Sequence, residues 1–253
     1  MNKSILTVII FILCTSLSKA DFLRVDGGIG AWETNLSGKI TYTGDNEFDV
    51  VDQAGLDSST NLYAWLNFKH PIPLVPNFRF EYVDPEFDGE VTRLEWRGNT
   101  YASVNNTLSL TQYDIALYYN LLDETFWTTL DLGLNIKIID GNYELSESTG
   151  FAPAVDESFS LAMPLAYIRA RIDVPGTDVG IEGIARGMAY SGNTVVDAQI
   201  KLDYTMSFIP IIQPGLELGY RYQKMKLDAG SIGLDANIDT EFSGVYGGVV
   251  FRF

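Results

Sequence analysis

The sequence predicts an all-β fold, an antiparallel up-and-down barrel whose strands cross a membrane. Three observations lead to this prediction. Apolar and polar residues alternate in a series of separate segments, as in strands with one face in lipid and the other in a lumen. The connections between these segments are alternately long and short. The last eight residues, YGGVVFRF, alternate as well and finish on an aromatic residue, which in such a barrel lies at the lipid interface.

Ten segments show the alternation, so ten strands are predicted, with eight and twelve as the alternatives. In the first half of the chain the apolar faces hold Leu23, Val25, Ile29 and Ala31; Leu62, Ala64, Leu66 and Phe68; Phe78, Phe80 and Tyr82; Tyr113, Ile115, Leu117 and Tyr119; and Leu130, Leu132, Leu134, Ile136 and Ile138. In the second half they hold Ala166, Ile168, Ala170 and Ile172; Val179, Ile181, Gly183 and Ala185; Val196, Ala198, Ile200, Leu202, Tyr204, Met206 and Phe208; Leu216, Leu218, Tyr220 and Tyr222; and Val249, Phe251 and Phe253.

The connections fall into two classes. Long, acidic loops are predicted at about 34–57, 84–106, 140–157 and 228–237. Short turns are predicted at 70–76, 121–125, 174–178 and 209–214, two of them containing prolines that cannot continue a strand ladder. Only the hairpin at 191–193 departs from the alternation of lengths. Since the strand number is even, both ends of the chain lie on the side of the short turns.

The face opposite the apolar one carries nearly balanced charge. It holds ten basic residues, Arg24, Lys69, Arg79, Lys137, Arg169, Arg171, Arg186, Lys201, Arg221 and Arg252. It also holds nine acidic residues, Asp26, Glu81, Asp114, Asp131, Asp173, Glu182, Asp197, Asp203 and Glu217, which leaves a net charge of +1. The interior of a small barrel is just wide enough to be filled by side chains. These residues are therefore predicted to form either an ion-pair network across the lumen or the lining of a selective permeation path.

The amino terminus predicts export. Lys3 precedes an apolar run from Ile5 to Leu13, and small residues at Ser18 and Ala20 fit a signal-peptidase site, so 1–20 is predicted to be a signal peptide and 21–253 the barrel. The run is shorter than the roughly 20 residues of a membrane helix. Lipidation at Cys14 is the alternative, but Leu13 is not the small residue that a lipidation site requires. Without Cys14 the exported chain has no thiol for disulfides, catalysis or metal binding.

The composition excludes several functions. The formal net charge of −16 is incompatible with binding nucleic acid through its phosphates. The only histidine, His70, is predicted in a short turn beside Pro71, so no enzyme activity, cofactor or built metal site is expected. The acidic loops offer oxygen ligands to divalent cations, although their spacing does not match an EF-hand.

The ending and the beginning of the barrel segment together resemble a known group. Tyr246, Gly248, Phe251 and Phe253 fill the positions of the insertion signal of bacterial outer-membrane barrels. With the start DFLRVDGGIGAW and the ten-segment layout, the chain resembles a family of bacterial outer-membrane β-barrel proteins that carry a Gly-Gly signature and have no assigned activity. The resemblance implies a membrane location, the barrel fold and export, and it carries over no catalytic residues. The expected partners are outer-membrane lipid, lipopolysaccharide and, during insertion, the barrel-assembly machinery. With an even number of strands, both termini are expected in the periplasm.

Two functions are compatible with these features. The first is a narrow porin-like channel for small solutes or ions, which the charged lumen favours. The second is a closed structural or surface-interaction barrel that displays its acidic loops to cations, lipopolysaccharide or a partner. The channel is the predicted function, because transport is the commoner role of such barrels, and the closed barrel is the alternative.

Overall fold

The chain folds into a β-barrel. The computed structural model describes residues 23–42, 47–96, 99–147, 154–209, 211–228, 230 and 236–253, so the predicted signal peptide lies outside the described residues. No helix in the described part is long and apolar enough to cross a membrane. The strands are β1 (Arg24–Tyr42), β2 (Glu47–Asp49), β3 (Ser58–Lys69), β4 (Asn77–Val83), β5 (Glu86–Trp96), β6 (Asn99–Thr125), β7 (Thr128–Glu147), β8 (Val155–Asp173), β9 (Val179–Tyr190), β10 (Asn193–Thr205), β11 (Gln213–Leu227) and β12 (Ala236–Arg252).

Ten of these strands form the closed barrel. Each pairs antiparallel with its neighbours in the order β1, β3, β4 and then β6 to β12. The last strand returns to the first, with register from Asp26 opposite Arg252 to Tyr42 opposite Ala236. The two further strands extend one end, where β2 pairs with β1 and β5 pairs with β6. The predicted ten-stranded antiparallel barrel is therefore confirmed.

The strands extend well into the stretches that were predicted as long loops. β1 continues to Tyr42, β5 and the start of β6 occupy most of 84–106, and β7 continues to Glu147 before β8 starts at Val155. These stretches are hairpins that lengthen the barrel at the end away from Arg24 and Arg252, which we call the distal end. Most of the predicted loop 228–237 lies outside the described residues. The short connections at 70–76 and 174–178 lie between strands as expected.

The polarity of the wall reverses along each long strand, and β7 shows the change clearly. In its first part Leu134 points outward and is 70% exposed, whereas Lys137 points inward and is 1% exposed. Beyond Ile138 the outward positions become polar, as at Glu144, and the inward ones become apolar, as at Leu145. We call the two parts the lipid zone, near the chain ends, and the distal zone. A strand of the distal zone has the polarity of a water-soluble barrel.

The outside of the lipid zone is a continuous apolar belt. On β8 it extends from Ile172 to Ala162, which at about 3.4 Å per residue and a tilt of about 40° corresponds to about 26 Å. That height matches the hydrocarbon layer that such barrels cross, and a patch of this size cannot face water. Exposed members of the belt are Ile29, Leu62, Leu66, Leu117, Tyr119, Leu132, Leu134, Ile136, Ile168, Ile172, Ile181, Ile200, Leu202, Leu216, Leu218, Tyr220, Val245, Val249 and Phe251.

Glycines line the seam where the first and last strands meet. Gly30 lies opposite Gly248, and a Cβ added to Gly248 would come within 2.3 Å of the Ile29 carbonyl oxygen. Of the other residues of the predicted insertion signal, Tyr246 points inward and is buried, whereas Phe251 and Phe253 are exposed on the outer face. Without side chains at this crossing, the two strands approach closely enough to complete the barrel.

The boundary between the two zones can be tested by placing one charge on either side of it on β7. We expect Leu134→Arg to destabilise the barrel by about 2–4 kcal/mol, because the new charge would lie in the middle of the hydrocarbon layer. The same change at the distal position, Asn142→Arg, should cost no more than about 1 kcal/mol. Urea unfolding in lipid vesicles measures both variants. Equal losses would contradict the assigned boundary.

Candidate functional site

The charged residues predicted on the luminal face all point into the barrel. Four lie half-buried near the chain ends, namely Arg24, Lys69, Asp173 and Arg252. The other fifteen are buried, namely Asp26, Arg79, Glu81, Asp114, Asp131, Lys137, Arg169, Arg171, Glu182, Arg186, Asp197, Lys201, Asp203, Glu217 and Arg221. Seven of these fifteen are basic and eight acidic, so the buried charge is nearly balanced. Strand alternation positions them, since each occupies an inward position of the lipid zone.

Two carboxylates and two cations form the centre of the network. The Lys137 ammonium lies 2.7 Å from Asp114 and 3.1 Å from Asp197. The Arg221 guanidinium lies 2.6 Å from Asp197 and 3.4 Å from Asp114. Each carboxylate therefore contacts both cations, an arrangement that compensates buried charge far from bulk water.

Further ion pairs and hydrogen bonds join strands on opposite sides of the barrel. In a ring of ten strands β11 is opposite β6, and the pair between Arg221 and Asp114 crosses the lumen between them. Glu81 on β4 accepts a hydrogen bond of 3.1 Å from the Gln199 amide on the opposite strand β10. It also lies 2.7 Å from Arg186 on β9. These contacts therefore bridge the lumen instead of following its wall.

The network continues toward the chain ends. Arg169 contacts Asp131 at 2.6 Å and Glu182 at 2.7 Å. Arg171 contacts Asp203 at 2.5 Å and lies 3.8 Å from Glu182, which links the two groups.

At the end of the barrel near the chain termini, Arg252 on β12 lies 2.7 Å from Asp203 and also donates a hydrogen bond to the Thr205 hydroxyl. Arg24 contacts Asp26 at 3.1 Å. Lys69 pairs with Asp123 at 2.6 Å instead of with a predicted luminal carboxylate. The ion pairs thus extend through the lipid zone, from the end near the chain termini to the boundary with the distal zone.

Aromatic side chains of β3 complete the network beside the seam between β1 and β12. The Trp65 ring lies between the Arg79 guanidinium at 4.5 Å and the Lys201 ammonium at 4.1 Å. Tyr63 and Trp65 donate hydrogen bonds of 2.6 and 2.9 Å to Glu217. A cavity beside these residues has a volume of about 10 Å³, about the space of one water molecule. Tyr63 and Trp65 occupy inward positions of a predicted strand, but residue type alone did not mark them as part of the site.

On the distal side of the ion-pair network the interior of the barrel becomes apolar. It contains a cavity of about 260 Å³, which we call the distal chamber. Its wall includes Leu36, Phe48, Leu108, Ile139 and Phe242. Several wall residues come from stretches predicted as acidic loops, so sequence reasoning missed the chamber. An alternation that is reversed relative to the lipid zone, with apolar residues inward and charged residues outward, is the signal that could have revealed the chamber.

The predicted turn histidine has structural contacts. The Nδ1 atom of His70 accepts a hydrogen bond from the Ile72 amide at 3.1 Å, and Nε2 lies 3.1 Å from the Pro76 carbonyl oxygen. Both contacts hold the connection between β3 and β4 at the end near the chain termini. Among the described residues, no three His, Cys, Asp or Glu side chains are grouped to hold a metal ion.

Comparison with known proteins supports the fold. No family model and no curated protein sequence matches the chain. The crystal structure of the outer membrane protease OmpT from Escherichia coli matches with a TM-score of 0.52 at 12% identity, covering 93% of this chain and 98% of that one. The translocator domain of the autotransporter NalP from Neisseria meningitidis gives 0.45 at 11% identity, over 98% and 94% of the two chains. At such identity the match with OmpT shows only the fold, which is that of an outer-membrane barrel.

The network predicts a large difference between buried and exposed arginines. Arg186→Met should destabilise the barrel by about 3–5 kcal/mol, because it removes a buried cation that contacts both Glu81 and Asp197. Arg93→Met is the matched control, since the Arg93–Glu95 pair is 68% exposed on both sides and contributes little. Urea unfolding monitored by gel mobility measures both. A loss of stability at Arg186 no larger than at Arg93 would contradict the network.

Proposed function

We propose that this protein is an integral outer-membrane barrel that is closed to solutes and presents its distal zone for binding at the cell surface. The observation that carries the proposal is the set of ion pairs and hydrogen bonds between opposite strands, such as Arg221 with Asp114 and Gln199 with Glu81. A side chain that extends from one strand and is bound to a residue of the opposite strand lies across the lumen and obstructs passage through it. This is the closed surface-interaction barrel that the sequence left as an alternative.

The porin-like channel fits the geometry less well. A channel needs a continuous water-filled path, whereas the layer around Trp65 leaves a cavity of about 10 Å³. Moving an ion through it would separate several buried ion pairs, each of which is costly to break. The luminal charges therefore fit a network that closes the barrel better than they fit a permeation path.

The placement in the membrane follows from the belt and the lengths of the connections. The apolar belt and the barrel fold support an outer-membrane location. Outer-membrane barrels have short turns in the periplasm and longer extensions outside. The distal zone, with its long hairpins, is therefore the exterior side, and Arg24 and Arg252 are at the periplasmic side. The residues Tyr246, Gly248, Phe251 and Phe253 fit an insertion signal for the barrel-assembly machinery.

The outer surface of the distal zone favours partners that tolerate or carry positive charge. Its exposed acidic residues include Glu33, Asp88, Glu90 and Asp140. Glu241 does not add to this charge, because its hydrogen bond of 2.5 Å from Lys224, which lowers the pKa of the carboxyl below its ordinary value, pairs it with a cation. Divalent cations would collect at such a surface and bridge it to lipopolysaccharide phosphates. No catalytic residue or cofactor is part of the proposal, because the luminal charged groups serve the network.

Planar-bilayer recording tests the closure. The refolded wild-type barrel should give no stable openings, because its luminal charges are paired across the opening. The double variant Glu81→Ala, Arg186→Ala removes two side chains from the middle of the lumen and should give ion-conducting openings. The control Arg93→Ala, Glu95→Ala removes an exterior pair and should stay silent.

Two results would go against the proposal. Stable wild-type openings whose ion selectivity shifts in Arg169→Ala, Arg171→Ala would make the channel the function instead. Silence in the Glu81, Arg186 variant, in a barrel that keeps its heat-modifiable gel mobility, would show that this pair is not what closes the lumen.

A further inference from the structure

We propose that the distal chamber is a binding site for an uncharged, hydrocarbon-rich small molecule that carries one hydrogen-bonding group. This goes beyond the proposed closed barrel, which requires no ligand inside. The inference rests on the size and lining of the chamber, on one buried hydroxyl group and on the charge of the chamber wall.

The chamber is large enough for a ligand, and its wall is mostly apolar. A dry cavity of about 150 Å³ lined by Leu, Ile and Phe binds benzene. The distal chamber, at about 260 Å³, is larger and has a similar lining that includes Leu36, Ile139 and Leu227. Its volume equals that of roughly nine water molecules at about 30 Å³ each.

One wall of the chamber is aromatic. The rings of Trp96 and Tyr143 lie 4.9 Å apart, and Phe48 meets Trp96 edge-on at 5.4 Å. All three line the chamber. Paired rings form a rigid apolar surface, so this wall keeps its shape when no ligand is present.

One buried hydroxyl group in the chamber wall specifies the ligand further. Thr240 on β12 is 5% exposed, and its hydroxyl has no hydrogen-bond partner among the described residues. Buried hydroxyl groups in folded proteins are almost always hydrogen-bonded. A hydroxyl or carbonyl group on a ligand in the chamber would satisfy it.

The charge of the chamber wall disfavours anionic ligands. Glu157 is the only charged residue among the described residues that line the chamber, whereas the outer surface around it carries both carboxylates, such as Glu144, and cations, such as Lys226. A carboxylate or phosphate ligand would meet the negative charge of Glu157. A cationic group would be attracted to the rim but would lose its hydration against the apolar wall. An uncharged polar group meets neither obstacle.

The test uses octan-1-ol, which has nine non-hydrogen atoms, as the probe. Barrels in lipid nanodiscs are equilibrated with labelled octan-1-ol, and the uptake of empty nanodiscs is subtracted. We expect saturable binding of about one molecule per barrel. Ala236→Trp, which fills the chamber, should abolish it. Ala102→Trp, the same change at an exposed position of β6, should leave it unchanged.

Thr240→Val tests the polar contact without changing the shape of the wall. It should weaken octan-1-ol binding by about three- to tenfold, the value of one hydrogen bond, and leave octane binding unchanged. If Ala236→Trp does not fold, Ile238→Trp fills the chamber from a half-buried position.

Three results would overturn the inference. They are uptake that does not saturate, saturable binding that survives in the chamber-filling variants Ala236→Trp and Ile238→Trp, and octanoate that binds as tightly as octan-1-ol. Failure here is distinct from failure of the proposed function. A silent barrel without octanol binding overturns only the ligand site, and a conducting barrel that binds octanol overturns only the closure.

Discussion

The structure depends on pairing buried charges across the lumen of the lipid zone. Lipid outside and a narrow space inside leave these side chains no access to bulk water, so each charge needs a partner of opposite sign. The barrel provides it from a facing strand, as in the contacts of Arg186 with Glu81 and of Arg221 with Asp114. The same contacts cross the lumen. One set of side chains therefore both neutralises the interior and supports the proposed closure.

The second feature is the reversal of polarity where the strands leave the lipid zone. Outside, Ile138 is followed by Asp140, because the wall passes from hydrocarbon to water. Inside, Lys137 is followed by Ile139, because a wall that faces water can be stabilised by an apolar core. The ion-pair network thus forms the floor of an apolar chamber. A barrel of this kind has an apolar outer belt near the chain ends and a distal zone with the reverse polarity, that of a barrel in water.

The sequence predicted the lipid zone well and the distal zone poorly. Segments such as Leu130 to Ile138 alternate with apolar residues outward, which is the pattern expected for lipid-facing strands. In 34–42 the alternation continues but is reversed, with Leu36 inward and Lys39 outward, and the polar and acidic composition of 34–57 as a whole favoured a loop. Luminal residues could be named from parity alone. Their partners could not, because strand tilt and register decide that Glu81 meets Arg186, which lies 105 positions later in the chain.

The most direct test of the account asks whether the two ends of the lumen are separate compartments. Asp173→Cys places one thiol at the end near the chain termini, and Ile238→Cys places one in the distal chamber. Vesicles with barrels in one orientation are treated from outside with a small, uncharged, hydrophilic thiol reagent that does not cross the membrane. The account predicts that only the cysteine on the treated side reacts, until the vesicles are opened. Reaction of both cysteines from one side, in folded barrels, would mean that the lumen is continuous.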